Sequence, residues 1–192
     1  MGKSRLEAFS DGVIAIIITI MVLELKAPHG DNFASFEPIL PVFLSYILSF
    51  VYVGIYWNNH HHMLHTVERV NGKILWANLH LLFWLSIVPF VTNLMEENHF
   101  SAVPTILYGI VLLMAGFAYS ILQYCIISSH GGKNSLLAKA VAQDWKSKAS
   151  LALIFVAIMI AFWNKWISDA IYIIVAIMWL LPDPRIEKTL EE

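Results

Sequence analysis

Apolar residues in this chain fall in long runs, interrupted by short stretches rich in charge, histidine, asparagine, proline or glycine. Runs of this length and polarity predict helices that cross a lipid bilayer, where every backbone polar group must be satisfied internally. Six spans are predicted, over residues 6–25, 38–62, 74–95, 102–127, 150–163 and 167–181. Pro28 and Gly30 close the first, and the polar stretch from His29 to Ser35 reads as a loop. The third contains Pro89, which a membrane helix tolerates when neighbouring groups satisfy the freed carbonyl. Residues 128–148, with Gly131, Gly132 and four lysines, read as a second loop. The last two runs are short. One bent helix across both would place Lys165 near the bilayer centre, so a hairpin turning at Asn164 and Lys165 costs less.

Charge supports six spans. With that count both termini and the even-numbered loops share one side, which carries Lys3, Arg5, Arg69, Lys73, Lys133, Lys139, Lys146, Lys148, Arg185 and Lys188. The opposite side carries only Lys26 and Lys165. Basic residues concentrate on the cytoplasmic side of membrane proteins, so both termini are expected in the cytoplasm. Glu7 and Asp11 interrupt the start of the chain and no small-residue cleavage site follows, so a cleavable signal peptide is not expected. The charged tail from Arg185 is expected to fray.

Composition narrows the function classes. Hydrophobic residues make up 58% of the 192 and charged residues 14%, against about 25% charge in a soluble domain. The expected fold class is therefore an all-α, polytopic membrane protein made of one domain. A net charge of −2 gives no nucleic-acid surface. Cys125 is the sole cysteine, which excludes a disulfide scaffold. The chain contains no nucleotide-binding glycine loop, no zinc-protease helix motif and no nucleophile elbow, so no enzymatic reaction is expected.

The candidate chemistry lies in two places. The segment Arg5-Leu6-Glu7-Ala8-Phe9-Ser10-Asp11-Gly12 sets a serine and a carboxylate at the mouth of an apolar helix. A charge there is costly and so marks a functional hypothesis with a partner to be found. At about 100° per residue, Ser10 and Asp11 point one way, and Ile16, Ile20 and Leu23 nearly the other, with Thr19 at the edge of that stripe. Nearly every residue from Val13 to Leu23 is apolar, so periodicity alone does not single out the stripe, and packing of both faces is the simpler reading. The second span ends in Tyr56-Trp57-Asn58-Asn59-His60-His61-His62, with His65 beyond. His61 and His65, one turn apart, could hold zinc. Hydrogen bonding within the bundle is preferred, because no cysteine is near, Glu68 is the sole close carboxylate, and three successive histidines cannot share one face. Asp11, Ser10, Asn78 and His80 are candidate partners for a buried histidine or for the Trp57 N–H, in a network that would fix helices relative to one another.

Arg5-x-x-x-Phe9-Ser10-Asp11-Gly12, followed by an Ile/Thr-rich helix, resembles the signature of the transmembrane protein 175 family, the lysosomal potassium channels and their prokaryotic relatives. Tyr56-Trp57-x-x-His60-His61 is similar to the second-helix motif of that family. Eukaryotic members carry two six-helix repeats; this chain carries one, like the prokaryotic type in which four subunits surround a pore. The resemblance implies a homotetrameric, potassium-permeable cation channel in a prokaryotic plasma membrane, with permeant potassium ions, the bilayer and its own copies as partners and no cofactor or bound metal. By position after the motif it puts the main constriction at Ile16, with Ile20 and Leu23 as further layers and Thr19 where a hydroxyl contributes to selectivity. It assigns Arg5, Phe9, Ser10 and Asp11 to a structural network with Trp57, Asn78 and either His60 or His61. It also reverses the simpler reading of the Ile16 stripe, since an apolar ring can close a pore by excluding water. Four chains are expected because one six-helix bundle has no obvious internal polar path. A coupled secondary transporter using Asp11 and the His60–His65 cluster is the alternative, and a membrane scaffold a weaker third. The absence of paired discontinuous helices or an inverted repeat favours the channel.

Overall fold

A computed structural model describes residues 2–27, 32, 36–37, 39–132, 135, 137–138 and 145–180. The polar stretch after Pro28, much of the lysine-bearing loop and the charged tail lie outside the described residues. Most of the rest is helical: α1 (Lys3–Leu23), α2 (Leu40–His65), α3 (Gly72–Ser86), α4 (Val88–Glu97), α5 (Ala102–Ser129), α6 (Trp145–Ile160) and α7 (Lys165–Leu180).

Local chemistry sets the ends of these helices. Pro41 stands in the first turn of α2, where its missing N–H costs nothing. The Asn71 side chain caps α3 by accepting from the Ile74 N–H at 3.0 Å. Asn164 turns the chain between α6 and α7, its Oδ1 accepting from the backbone N–H of Trp166 at 3.0 Å and Ile167 at 3.3 Å. The hairpin is therefore set by a cap, and Lys165 begins α7. Helix α2 runs three residues past the expected end, so His60, His61, His62 and His65 are all helical. Helix α6 starts at Trp145, inside the segment expected as loop.

The third apolar run differs most. It is two helices meeting at Ile87, whose N–H turns back to Trp84 O at 3.3 Å. Pro89 has no N–H to give the Leu85 carbonyl, and its ring crowds that turn, so the helix breaks just before it. Together α3 and α4 still cover Gly72–Glu97. That segment, α1, α2 and α5 are each long and apolar enough to cross a membrane.

Helix α1 packs against α2, α3 and α4, while α5 lies against α3, α4 and α6, and α7 against α6, α2 and α5. Val53, Ile74, Leu81, Leu112, Leu122 and Tyr172 sit in the buried centre. The exterior carries many large apolar side chains, with Leu23, Trp76, Phe90, Val103, Phe162 and Trp163 all well exposed. Such a surface requires a non-aqueous surrounding or further protein.

The exposed stripe of α1 and its polar anchor

Helix α1 has two faces. Leu6, Ser10, Ile14, Ile17 and Met21 recur at steps of three and four and are buried against the bundle. Ile16, Thr19, Ile20 and Leu23 face out of the bundle, with Ile16 58% and Leu23 80% exposed, whereas Ile14 is 1% exposed. The Thr19 hydroxyl donates to Ile16 O at 2.9 Å, bonding to the helix's own backbone. A groove of about 410 Å³ beside the stripe is lined by Ile16, Ile20 and Glu24 of the first segment and by Pro89, Phe90 and Asn93 around the α3–α4 break.

Polar groups hold the buried face. Ser10, wholly buried, donates to Leu6 O at 2.9 Å and accepts from Asn78 Nδ2 at 2.9 Å. The same Asn78 meets His60 through Oδ1, 2.7 Å from Nε2. An amide oxygen only accepts, so His60 Nε2–H donates with the amide oriented this way. Ser10, Asn78 and His60 thus form one buried chain tying α1, α3 and α2 together. Without a partner each group would carry a desolvation cost of about 1–3 kcal/mol. A second link lies at the edge, where Trp57 Nε1 donates to Asp11 Oδ1 at 3.0 Å. A third lies at the chain start, where Lys3 Nζ donates to His65 O at 2.8 Å and sits 4.0 Å from Glu7.

Several residues assigned to the network lie apart from it. His60 is the buried histidine; His61 points outward, its ring near those of Trp57, His62 and His65. Successive helix residues stand about 100° apart, so His60 and His61 cannot share a face. Arg5 is exposed and makes no hydrogen bond or ion pair among the described residues. Phe9 is 48% exposed and falls on the line of Ile16, Ile20 and Leu23 at steps of seven, four and three. It belongs with the outward stripe in place of the polar network. His80, a candidate partner, instead accepts from Trp84 Nε1 at 3.0 Å. His61 and His65 rings lie 5.0 Å apart, but among the described residues no three metal-binding side chains converge.

The bundle also carries a polar interior that the sequence reading missed. Ser45 donates to Glu96 Oε1 at 2.6 Å, and the Ser49 hydroxyl lies 2.7 Å from that of Thr92 and 3.1 Å from that of Tyr108. Tyr52 donates to Tyr172 O at 2.6 Å, and Tyr172 to Thr105 O at 3.2 Å. A signal was present: Ser45, Ser49 and Tyr52 recur at steps of four and three along an apolar helix.

Comparison with known proteins adds independent information. A family model described as the endosomal/lysosomal potassium channel TMEM175 matches residues 5–89, the part that contains Ser10, His60 and Asn78. A protein named a potassium channel from Chryseobacterium sp. (strain P1-3) is 55% identical over the full length of both chains. The Homo sapiens endosomal/lysosomal proton channel TMEM175 is 33% identical over 43% of this chain and 19% of its own length. The crystal structure of a lysosomal potassium-selective channel TMEM175 homolog from Chamaesiphon minutus superposes with a TM-score of 0.77 at 27% identity. That match covers 93% of this chain and 96% of the other.

Proposed function

The chain belongs to the TMEM175 family of channels, and from that premise we propose that it is one subunit of a homotetrameric, potassium-permeable cation channel whose pore is lined by the outward stripe of α1. The observation that carries this reading is the division of α1. One face is anchored by the Ser10–Asn78–His60 chain, and the opposite flank leaves Ile16, Thr19, Ile20 and Leu23 exposed, bordered on one side by the groove against Pro89, Phe90 and Asn93. Four such helices around an axis would place rings of Ile16, Ile20 and Leu23 along it, with Ile16 as the narrowest. A ring of this kind passes ions only when wet; its barrier is the loss of water from the ion in a narrow apolar neck.

Six spans with both termini in the cytoplasm fit the ten-to-two division of basic residues. Helices α6 and α7, at 16 residues each, extend about 24 Å and would serve as short spans within the protein. The membrane is the plasma membrane of a prokaryote, and conduction uses no cofactor beyond the permeant ions.

Cysteine introduced singly at Ile16, Thr19, Ile20 or Leu23, with Cys125 replaced, tests the lining. Small water-soluble thiol reagents should change the conductance of these channels, and leave cysteine at the buried Ile14 or half-buried Ile18 unmodified. Silence at all four stripe positions would remove α1 as the lining helix. Unitary current steps driven only by the gradient are expected in the same bilayers, whereas a transporter would give coupled, saturable flux.

A further inference from the structure

The end of α5 carries a histidine whose bonds require one protonation state. His130 closes the helix and is half-buried, just beyond the apolar span that ends at Ser129. Its Nδ1 lies 3.0 Å from Ile126 O. A carbonyl only accepts, so with the ring oriented this way Nδ1 carries the proton. Nε2 is then the bare nitrogen. It accepts from the backbone N–H of Glu68 at 3.1 Å and from that of Arg69 at 3.2 Å. Both ring nitrogens are used, and the ring is neutral.

The segment it serves is the link between α2 and α3. There the N–H groups of Thr66 and Val67 turn back to Met63 O and Leu64 O. Those of Glu68 and Arg69 find their acceptor, among the described residues, in His130 alone. Asn71 adds a second fastening to α5, its Nδ2 donating to Ser129 Oγ at 2.8 Å while its Oδ1 caps α3. The two helices joined by this turn carry His60 and Asn78, which hold Ser10 of α1.

Charge on the ring undoes the arrangement. A histidinium bears a proton on both nitrogens and accepts at neither. Its Nε2–H would face the two N–H groups that Nε2 now serves. Histidine ordinarily changes charge between pH 5 and 8. Around the ring lie Thr66, Glu68 and Arg69 of the turn, Ile126 and Ser129 of α5, and Ser135. Glu68 and Arg69 are the charged members of this set, one of each sign. On α1, Lys3 is engaged by the His65 carbonyl and Glu7. On α2, the rings of His62 and His65 both lie against that of His61.

We propose that His130 is a proton-operated clasp: neutral, it fastens the α2–α3 turn to the end of α5, and protonated, it releases the turn. The sign follows from the bonds. The clasp is complete at high pH and is lost as the pH falls at this end of the bundle. It is built within one subunit and does not depend on how α1 lines a pore.

Hydrogen–deuterium exchange of the purified full-length protein in detergent tests the proposal, at about pH 8 and about pH 5.5, with the intrinsic pH dependence of amide exchange divided out. In the wild type, the peptide containing Glu68 and Arg69 should be protected at the higher pH and exchange about tenfold faster or more at the lower. The α6–α7 turn, where the N–H groups of Trp163 and Asn164 meet the Ile160 carbonyl at 2.8 Å, has no titratable acceptor and should keep its protection. His130→Ala should expose the Glu68 and Arg69 amides at both pH values, and His65→Ala should retain the wild-type response. Equal protection of that peptide at both pH values in the wild type overturns the proposal, and this arm needs no variant to fold. Protection that survives His130→Ala overturns it too, as does a pH response that His65→Ala abolishes, which would place the sensor on α2.

Discussion

At the scale of single residues, the decisive contrast is between Ser10 and Asp11. They are neighbours in the motif, yet one is buried in a chain of hydrogen bonds and the other is exposed with a single bond to Trp57. Adjacent helix residues point about 100° apart, so burial of one turns the other to the edge. The two should then differ in consequence. Ser10→Ala leaves the Asn78 amide without its acceptor and is expected to destabilise by about 1–3 kcal/mol. Asp11→Asn retains an oxygen for the Trp57 N–H at an exposed position, so its effect on the melting temperature should be the smaller. Thermal unfolding of both variants in one detergent checks the order, and a larger loss for Asp11→Asn would mean that its charge has a further partner. His60→Ala should resemble Ser10→Ala, and His61→Ala should not. The sequence left open which histidine joins the network, because the choice depends on the rotation of α2 against α3.

At the scale of elements, close approach depends on glycines whose role cannot be read in an apolar run. Gly109 admits the Tyr172 hydroxyl, and Ile158 Cγ1 lies 2.7 Å from where a Cβ would stand. Gly12, on α1, has nothing within 4 Å. Gly109→Ala must push α7 or α6 away and is expected to cost about 1–3 kcal/mol, an overpacking effect. Gly12→Ala should leave the stability of the isolated subunit unchanged or slightly raised, since alanine favours helix by roughly 1 kcal/mol. Melting temperatures of both separate a packing role from mere helix propensity. The break at Pro89 carries a similar lesson. Proline is visible in the sequence, but whether it is absorbed or breaks the helix depends on what surrounds the freed Leu85 carbonyl. Here the helix breaks at Ile87, two residues before Pro89, and starts α4 afresh.

At the scale of the whole molecule, the outward stripe of α1 is the surface on which the proposed tetramer depends. Ile14 and Ile16 are chemically identical and two residues apart, and their substitutions should separate cleanly. Ile14→Ala removes a fully buried side chain and is expected to cost about 2–5 kcal/mol, with little change in ion preference among the channels that assemble. Ile16→Ala should leave subunit stability nearly intact, and widen and wet the proposed ring, bringing potassium and sodium permeabilities closer together. Ile16→Asn should also raise current, because a polar side chain wets the ring. Reversal potentials with potassium on one side and sodium on the other check both. An unchanged conductance and reversal potential in Ile16→Ala would move the constriction to Ile20 or Leu23.

The sequence by itself determined the properties that depend on spacing and polarity: an all-helical membrane chain, its runs, the turn at Asn164, and a motif leading to a channel family. These are legible because bilayer thickness and helix pitch act on any chain alike. It also set Ser10 apart from the Ile16 stripe, since the helical repeat alone separates them. Only the tertiary structure decided which apolar face of α1 is buried, that Phe9 belongs with the stripe and Arg5 outside the network, and that His60 in place of His61 meets Asn78. Each of these depends on the rotation of one helix against another. Side chains of near-equal hydrophobicity leave that angle undetermined until hydrogen bonds and close packing at a few positions choose it.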